Sequence, residues 1–101
     1  MNKNTLKVIA TIIALKGKEK NLRNVLIKLI EPTSKEPGCI SYTLLNNIAD
    51  QTEYTFFEEW KTEKDLEAHM KSSHFQEAVS SLDGLIASEP VIKLYYTMEI
   101  G

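Results

Sequence analysis

The feature that most constrains the fold is the change in apolar spacing along the chain. Apolar and β-branched residues run together from Leu6 to Leu15 and end at Lys16-Gly17, which is typical of a β-strand. From Lys18 onward the spacing becomes that of an amphipathic helix, which we expect to end between Glu31 and Glu36, before the turn at Pro37-Gly38. The apolar positions of this helix are Leu22, Val25, Leu26 and Leu29.

The middle of the chain has the alternation of a β-hairpin. Cys39 to Leu45 forms the first predicted strand, Asn46 to Thr52 a polar loop, and Glu53 to Trp60 the second strand. Because side chains alternate between the faces of a strand, Glu58 shares its face with aromatic residues. The residues on one face are predicted to be Ile40, Tyr42 and Leu44 in the first strand, and Tyr54, Phe56, Glu58 and Trp60 in the second.

Two short helices and a last strand complete the pattern. Thr62 with Asp65 approximates a helix capping box, and Ser73 with Gln76 repeats it, so a joint is predicted at Lys71 to Ser73. Alternation resumes from Val91 to Ile100. The inner positions of the two helices are Leu66, His69, Met70, Phe75, Ala78, Val79 and Leu82.

The order β-α-β-β-α-β predicts a ferredoxin-like α+β fold, an antiparallel four-stranded sheet with helices on one face. The 101 residues suit a single domain spanning 1–101. The other face of the sheet is also apolar, so we expect a homodimer that covers it. The residues predicted there are Ile9, Ile13, Leu15, Phe57, Val91 and Tyr95.

Charge and composition exclude several function classes. With 12 basic and 14 acidic residues the net charge is −2, which disfavours nucleic acid or an anionic membrane as a partner. The apolar run from Val8 to Leu15 is too short to span a bilayer. Cys39 is the only cysteine, which excludes an intrachain disulfide and fits a cytoplasmic location.

Three motifs together resemble the antibiotic-biosynthesis-monooxygenase family, whose characterised members include quinol monooxygenases. They occur in the family's order, and the resemblance covers nearly the whole chain. The motifs are Glu36-Pro37-Gly38-Cys39 followed by Tyr42, then Phe57-Glu58-Glu59-Trp60, then the segment from His69 to Phe75. The resemblance implies a dimeric α+β barrel with a pocket between sheet and helices. It also implies a monooxygenase that uses neither metal nor flavin.

Such chemistry needs a base. Ground-state O₂ is a triplet, so the substrate must become an electron-rich anion by losing a phenolic or quinol proton. His69 and His74 are the candidate bases because imidazole titrates near neutrality, although a structural role for each carries equal weight. Glu58 is the third candidate, either as an acid with a raised pKa or as the residue that orients a histidine.

Aromatic residues are the candidate substrate contacts. Trp60 is a candidate flat wall for an aromatic substrate, with a core role at even weight. Phe56 flanks Glu58 on the same strand face, and Tyr42 and Tyr96 point by alternation toward the same side. We therefore expect Trp60, Tyr42, Phe56 and Tyr96 to line the substrate pocket.

The leading function is oxidation of a quinol, phenol or polyketide-like aromatic by O₂, with three rivals. Haem degradation is disfavoured because relatives that open haem carry an asparagine on the first strand and a later histidine, both lacking in Leu6 to Leu15 and Ala78 to Leu82. An isomerase of a small phosphorylated carbonyl compound and a non-enzymatic ligand-binding dimer stay open. The resemblance implies that no cofactor is needed. A metal is also not expected, since His69 and His74 lie five residues apart, which is not the i, i+4 spacing that keeps two imidazoles together on a helix.

Overall fold

A computed structural model of the protein describes residues 4–100. The four strands form one antiparallel sheet in the order β2-β3-β1-β4, which confirms the predicted ferredoxin-like topology. The elements are β1 (Leu6–Ile13), α1 (Glu19–Ile27), α2 (Ile30–Ser34), β2 (Cys39–Asn47), β3 (Asp50–Trp60), α3 (Glu63–Met70), α4 (Ser73–Ser80) and β4 (Val91–Tyr95).

The central strand β1 organises the core. It pairs with β3 on one side and β4 on the other. Alternate residues from Leu6 to Ile12 are buried beneath the helices, and those between them are half-buried on the other face, as predicted. The core is continued by Leu22 and Leu26 of α1, which pack against this inner face.

The first helical region is interrupted before the range from Glu31 to Glu36 in which its end was predicted. α1 ends at Ile27, and α2 begins at Ile30, so Pro32 lies in the first turn of α2. A proline is accommodated there because the first N–H groups of a helix have no intrahelical partner.

The hairpin strands are longer than predicted. β2 and β3 extend through most of the predicted loop and leave only Ile48 and Ala49 between them. The register shifts between Cys39 and Ser41, which places Ile40 in a bulge. Ile40 is therefore 46% exposed and does not share the inner face with Tyr42, contrary to the predicted alternation.

The break between α3 and α4 lies where it was predicted, but the residue that caps α4 is Ser72 instead of the predicted Ser73. The Thr62 hydroxyl accepts a hydrogen bond from the Asp65 backbone N–H and begins α3. Ser72, not Ser73, begins α4 by accepting from the Phe75 N–H. The joint at Lys71 and Ser72 turns the chain between two short helices.

The last strand is shorter than predicted and ends at Tyr95 rather than Ile100. Within residues 4–100 its only neighbouring strand is β1, and their pairing ends where Lys7 faces Tyr95, close to the start of β1. Beyond it, the Thr97 N–H bonds to the Asn4 side chain instead of to a strand.

The outer face of the sheet is open and carries apolar residues among polar ones. Phe57 of β3 is 45% exposed, and Val91 and Tyr95 of β4 are exposed on the far side of β1. The polar residues that share this face by register are Lys7, Thr11, Thr55, Glu59 and Lys93. Half-buried Ile9 and Ile13 of β1 complete this outer face. No helix within residues 4–100 has the length and hydropathy to cross a membrane.

Gly38 fixes the entrance to β2. Its φ of +87° lies in the left-handed region, and a Cβ there would stand 2.2 Å from the Asp65 carboxyl carbon. Gly17 has a similar φ of +90° but open space around it. Comparing the two glycines therefore distinguishes the cost of a left-handed backbone, which both positions share, from the cost of a steric clash, which applies to Gly38 and not to Gly17.

We expect Gly17→Ala to lower the free energy of unfolding by about 1–2 kcal/mol through the left-handed backbone alone. Gly38→Ala should cost at least about 1 kcal/mol more, because Asp65 must move away from the new methyl group. Urea denaturation of the two variants measures the difference. Equal losses would show that α3 does not approach Gly38 this closely.

Candidate functional site

A cavity of about 720 Å³ lies between the inner face of the sheet and the helices. Its floor is formed by Val8, Ala10 and Ile12 of β1, and most of its other walls are aliphatic or aromatic. Tyr42, Glu58 and His69 are the ionisable groups in its buried part, whereas Asp83 and Glu89 are exposed at its rim. Among the described lining residues there is no lysine or arginine.

Two stacked aromatic rings form one wall. The ring centroids of Tyr42 and Phe56 are 4.6 Å apart with an interplanar angle of 25°. The register of β2 on β3 brings them together, since Tyr42 faces Glu58 and Leu44 faces Phe56. Burial and the nearby Glu58 raise the pKa of Tyr42, so its hydroxyl remains a neutral hydrogen-bond donor.

Glu58 is a buried carboxyl group in this apolar wall. Burial raises its pKa from 4.5 to about 7, although a hydrogen bond from the Trp60 indole opposes the shift. The indole N–H donates to Oε1 of Glu58 at 2.9 Å. The other oxygen, Oε2, has no hydrogen bond within the described residues and is not sealed from the cavity. Near neutral pH this carboxyl can therefore give or take a proton.

Trp60 supports Glu58 from behind. Trp60 is fully buried and is not among the residues that line the cavity, which agrees with the core role that the sequence left at even weight with a pocket wall. Its ring packs against His69 with centroids 4.9 Å apart. Trp60 therefore connects the carboxyl group on β3 to the histidine on α3.

Both histidines contact the same carboxylate, Glu36, in the segment between α2 and β2. His69 Nδ1 lies 2.8 Å and His74 Nε2 lies 2.5 Å from Oε2 of Glu36. The expectation that their spacing keeps the imidazoles apart is wrong, since the joint between α3 and α4 turns both toward Glu36. Their ring centroids are 6.0 Å apart.

His69 lies in the wall of the cavity. It is 1% exposed and packs edge-on against Phe75 at 5.0 Å and Tyr42 at 5.6 Å. Its Nε2 is buried and has no hydrogen-bond partner within the described residues. Burial lowers the pKa of His69, opposed by Glu36, so the imidazole is neutral at pH 7.

The remaining predicted site residues lie elsewhere. His74 does not line the main cavity but borders a separate pocket of about 160 Å³. Tyr96 follows the last residue of β4, is 54% exposed, and donates its hydroxyl to Glu63 at 2.9 Å. The alternation that placed Tyr96 in the cavity fails because the strand ends one residue earlier.

Comparison with known proteins identifies the family of the chain. Residues 5–81 match the sequence profile of the antibiotic biosynthesis monooxygenase family. The chain belongs to this family. It is 36% identical over 70 residues to an uncharacterized protein of Synechocystis, a match that covers 69% of this chain and 48% of that protein. The chain thus matches about half the length of that curated relative.

Solved structures share the fold over nearly the whole chain. A conserved protein from Methanosarcina mazei is 33% identical, with a TM-score of 0.86 and 91% of each chain covered. A Pseudomonas aeruginosa protein is 26% identical, with a TM-score of 0.85 and coverage of 98% of this chain and 97% of that one. A Mycobacterium tuberculosis protein, 24% identical with a TM-score of 0.88 and coverage of 95% and 97%, shows the fold alone.

Glu36, His69 and His74 are also the group of described residues that could hold a metal ion, with ligand atoms within 4.8 Å of one another. However, 2.8 and 2.5 Å are hydrogen-bond distances. Two ligands bound at about 2.0–2.2 Å to one tetrahedral ion would lie more than about 3 Å apart. The geometry favours direct hydrogen bonds, and the absence of a metal requirement stays a prediction for this family member.

Sequence reasoning missed Glu36 as a site residue. Of the two roles weighed for Glu58, the raised pKa is found, whereas no hydrogen bond joins Glu58 to either histidine in the described residues. Glu36 stands in the Glu36-Pro37-Gly38-Cys39 motif that carried the family resemblance. That motif was the available signal, although nothing in its spacing shows that it meets residues more than thirty positions later.

Glu58→Gln should remove a pH-dependent loss of stability. The carboxyl titrates near 4.5 when unfolded and near 7 when folded, so protonated Glu58 favours the folded state and ionisation disfavours it. As pH rises from below 4.5 to above 7, the wild type should lose up to about 3 kcal/mol relative to the variant.

The measurement is the free energy of unfolding of both proteins by urea denaturation between pH 4 and pH 8. Glutamine keeps an oxygen that can accept the Trp60 N–H, so the variant isolates ionisation. A difference between the proteins that does not change with pH would contradict the raised pKa.

Proposed function

We propose that the protein is a monooxygenase that needs no cofactor and oxidises a quinol, phenol or polyketide-like aromatic with O₂. The observation that carries the proposal is an apolar cavity in which a neutral imidazole and a carboxyl of pKa about 7 lie beside stacked aromatic rings. Membership of the antibiotic biosynthesis monooxygenase family supports this class of enzyme.

His69 is the proposed base. Its Nε2 accepts the phenolic proton, and the resulting anion gives one electron to O₂ to form a substrate radical and superoxide. The radicals combine at a ring carbon, the peroxide takes a proton, and the hydroperoxide loses water to leave a carbonyl. One O₂ is consumed, one oxygen atom enters the product, and the other leaves as water. Glu58 is suited to return the proton, because both of its protonation states are populated near pH 7.

The cavity wall supports a planar substrate. Tyr42 and Phe56 supply a stacked aromatic surface, and the Tyr42 hydroxyl is a neutral donor for a substrate oxygen. Trp60 is assigned the support of Glu58 rather than contact with substrate. Tyr96 lies outside this cavity and is assigned no substrate contact.

Charge discriminates against the isomerase alternative. A phosphorylated substrate needs cationic or backbone donors, and no lysine or arginine is found among the described lining residues. Asp83 and Glu89 at the rim would repel a phosphate further. The lining supports a neutral substrate, and the non-enzymatic dimer is the alternative that activity must decide.

Oxygen uptake with a panel of quinols and naphthols, in the presence of a chelator and without flavin, tests the proposal. We expect turnover by the wild type and a loss of about 10²–10⁴-fold in His69→Ala, the contribution of a general base. Glu58→Gln should also lose activity, and Trp60→Phe should lose part of it, because phenylalanine cannot donate to Glu58. Gln51→Ala, on the exposed hairpin, is the control.

Matched anionic analogues complete this experiment. Sulfonated or phosphorylated naphthols should bind and react much more poorly than their neutral parents. The oxygenase proposal is overturned if the folded protein consumes no O₂ with any neutral member. Conversion of a phosphorylated carbonyl compound would support the isomerase instead.

A cytoplasmic homodimer formed through the outer face of the sheet is part of the proposal. That face is open and carries the apolar residues Ile9, Phe57 and Val91 on three strands, among polar neighbours such as Thr43 and Lys93. Removing apolar surface from water contributes about 25 cal/mol per Å², so a second copy seated there would be stabilised.

Phe57→Lys should convert the dimer to a monomer, because it places a charge at the centre of this outer face. Ile48→Lys at the hairpin tip, where Ile48 is fully exposed, should leave the dimer intact. Light scattering at micromolar concentration measures the mass of both. A monomeric wild type would refute the dimer, and a dimeric Phe57→Lys protein would place the interface elsewhere.

A further inference from the structure

We propose that Glu36 is the positioning residue of the site and that the two histidines have different roles. Glu36 holds His69 in the tautomer that leaves Nε2 without a proton at the cavity wall, while His74 holds Glu36. The catalytic consequence rests on the proposed oxygenase function, whereas the tautomer itself does not.

The argument begins from hydrogen-bond chemistry. An ionised carboxylate oxygen only accepts, so a ring nitrogen bonded to it carries the proton. Oε2 of Glu36 lies 2.8 Å from Nδ1 of His69, which makes that atom the N–H of the ring. In a neutral imidazole the other nitrogen, Nε2, then has a free lone pair.

The surroundings of His69 agree with this assignment. Nε2 is buried without a partner in residues 4–100, although His69 is part of the cavity wall. A protonated Nε2 would be a buried donor with no acceptor, and an unpaired buried polar group is costly. The Nε2 atom is sealed as the structure stands, so a substrate hydroxyl can donate to this lone pair only when the wall around His69 shifts to admit it.

His74 binds Glu36 but lies outside the main cavity. Its Nε2 donates to the same Glu36 oxygen at 2.5 Å, and its ring borders the smaller pocket rather than the cavity. Two donors on one oxygen restrict the rotation of the carboxylate. His74 therefore acts on the reaction only through Glu36.

The tautomer can be read directly by long-range ¹H–¹⁵N correlation NMR on the wild-type protein at pH 7.5. We expect His69 to show a protonated Nδ1 and an unprotonated, pyridine-like Nε2. In Glu36→Leu, which removes the acceptor, the spectrum should move toward the Nε2–H form. Glu31→Gln, an exposed carboxylate on α2, is the matched control and should give the wild-type spectrum.

Kinetics supply the second test. Glu36→Leu should lower kcat on the order of 10²-fold with little change in KM, because the base loses its orientation while the cavity wall is kept. His74→Ala should lower kcat less than His69→Ala does, and Glu36→Asp should recover part of the loss.

An Nε2–H tautomer or an imidazolium in the wild type would overturn the assignment, whatever the variants do. An equal loss in His74→Ala and His69→Ala would overturn the division of roles. The predicted tautomer together with no O₂ uptake would instead disprove the oxygenase proposal and leave the positioning by Glu36 intact.

Discussion

The site depends on the antiparallel register of β2 on β3. This register sets Tyr42 opposite Glu58 and Leu44 opposite Phe56, so that an aromatic wall and a carboxyl group reach the same inner face. A shift of β2 by one residue would turn Tyr42 and Leu44 toward the outer face and separate them from Phe56 and Glu58, which β1 holds in place. The bulge at Ile40 absorbs the extra residue at the start of β2 and leaves the pairing of Tyr42 unchanged.

The break between α3 and α4 is the second requirement. A continuous helix would place residues five apart about 140° from each other around its axis. The joint at Lys71 and Ser72, capped by the Ser72 hydroxyl, redirects α4 so that His74 reaches the carboxylate already bonded to His69. A short helix is weakly stable alone, and here packing and capping hold it in place.

The sequence predicted what depends on local periodicity. The buried half of β1, the placement of Glu58 among aromatic side chains and the joint before α4 all follow from spacings of two or three to four residues. The bulge at Ile40 and the end of β4 did not follow, because each depends on the length and register of a neighbouring strand. Glu36 was missed because its contact with His69 joins a loop to a distant helix, and local periodicity does not report such long-range contacts.

One physical effect, desolvation, sets both proton-transfer groups of the cavity. It raises the pKa of Glu58 to about 7 and lowers the pKa of His69, so near pH 7 both protonation states of Glu58 are populated and the imidazole is neutral. Transfer of a proton from a neutral phenol to neutral His69 then creates an adjacent ion pair rather than an isolated anion. In a low-dielectric cavity such a pair costs less than a lone charge, because the opposite charges attract strongly at short range. The imidazolium formed in the step thus stabilises the substrate anion in a cavity where no described lysine or arginine does so.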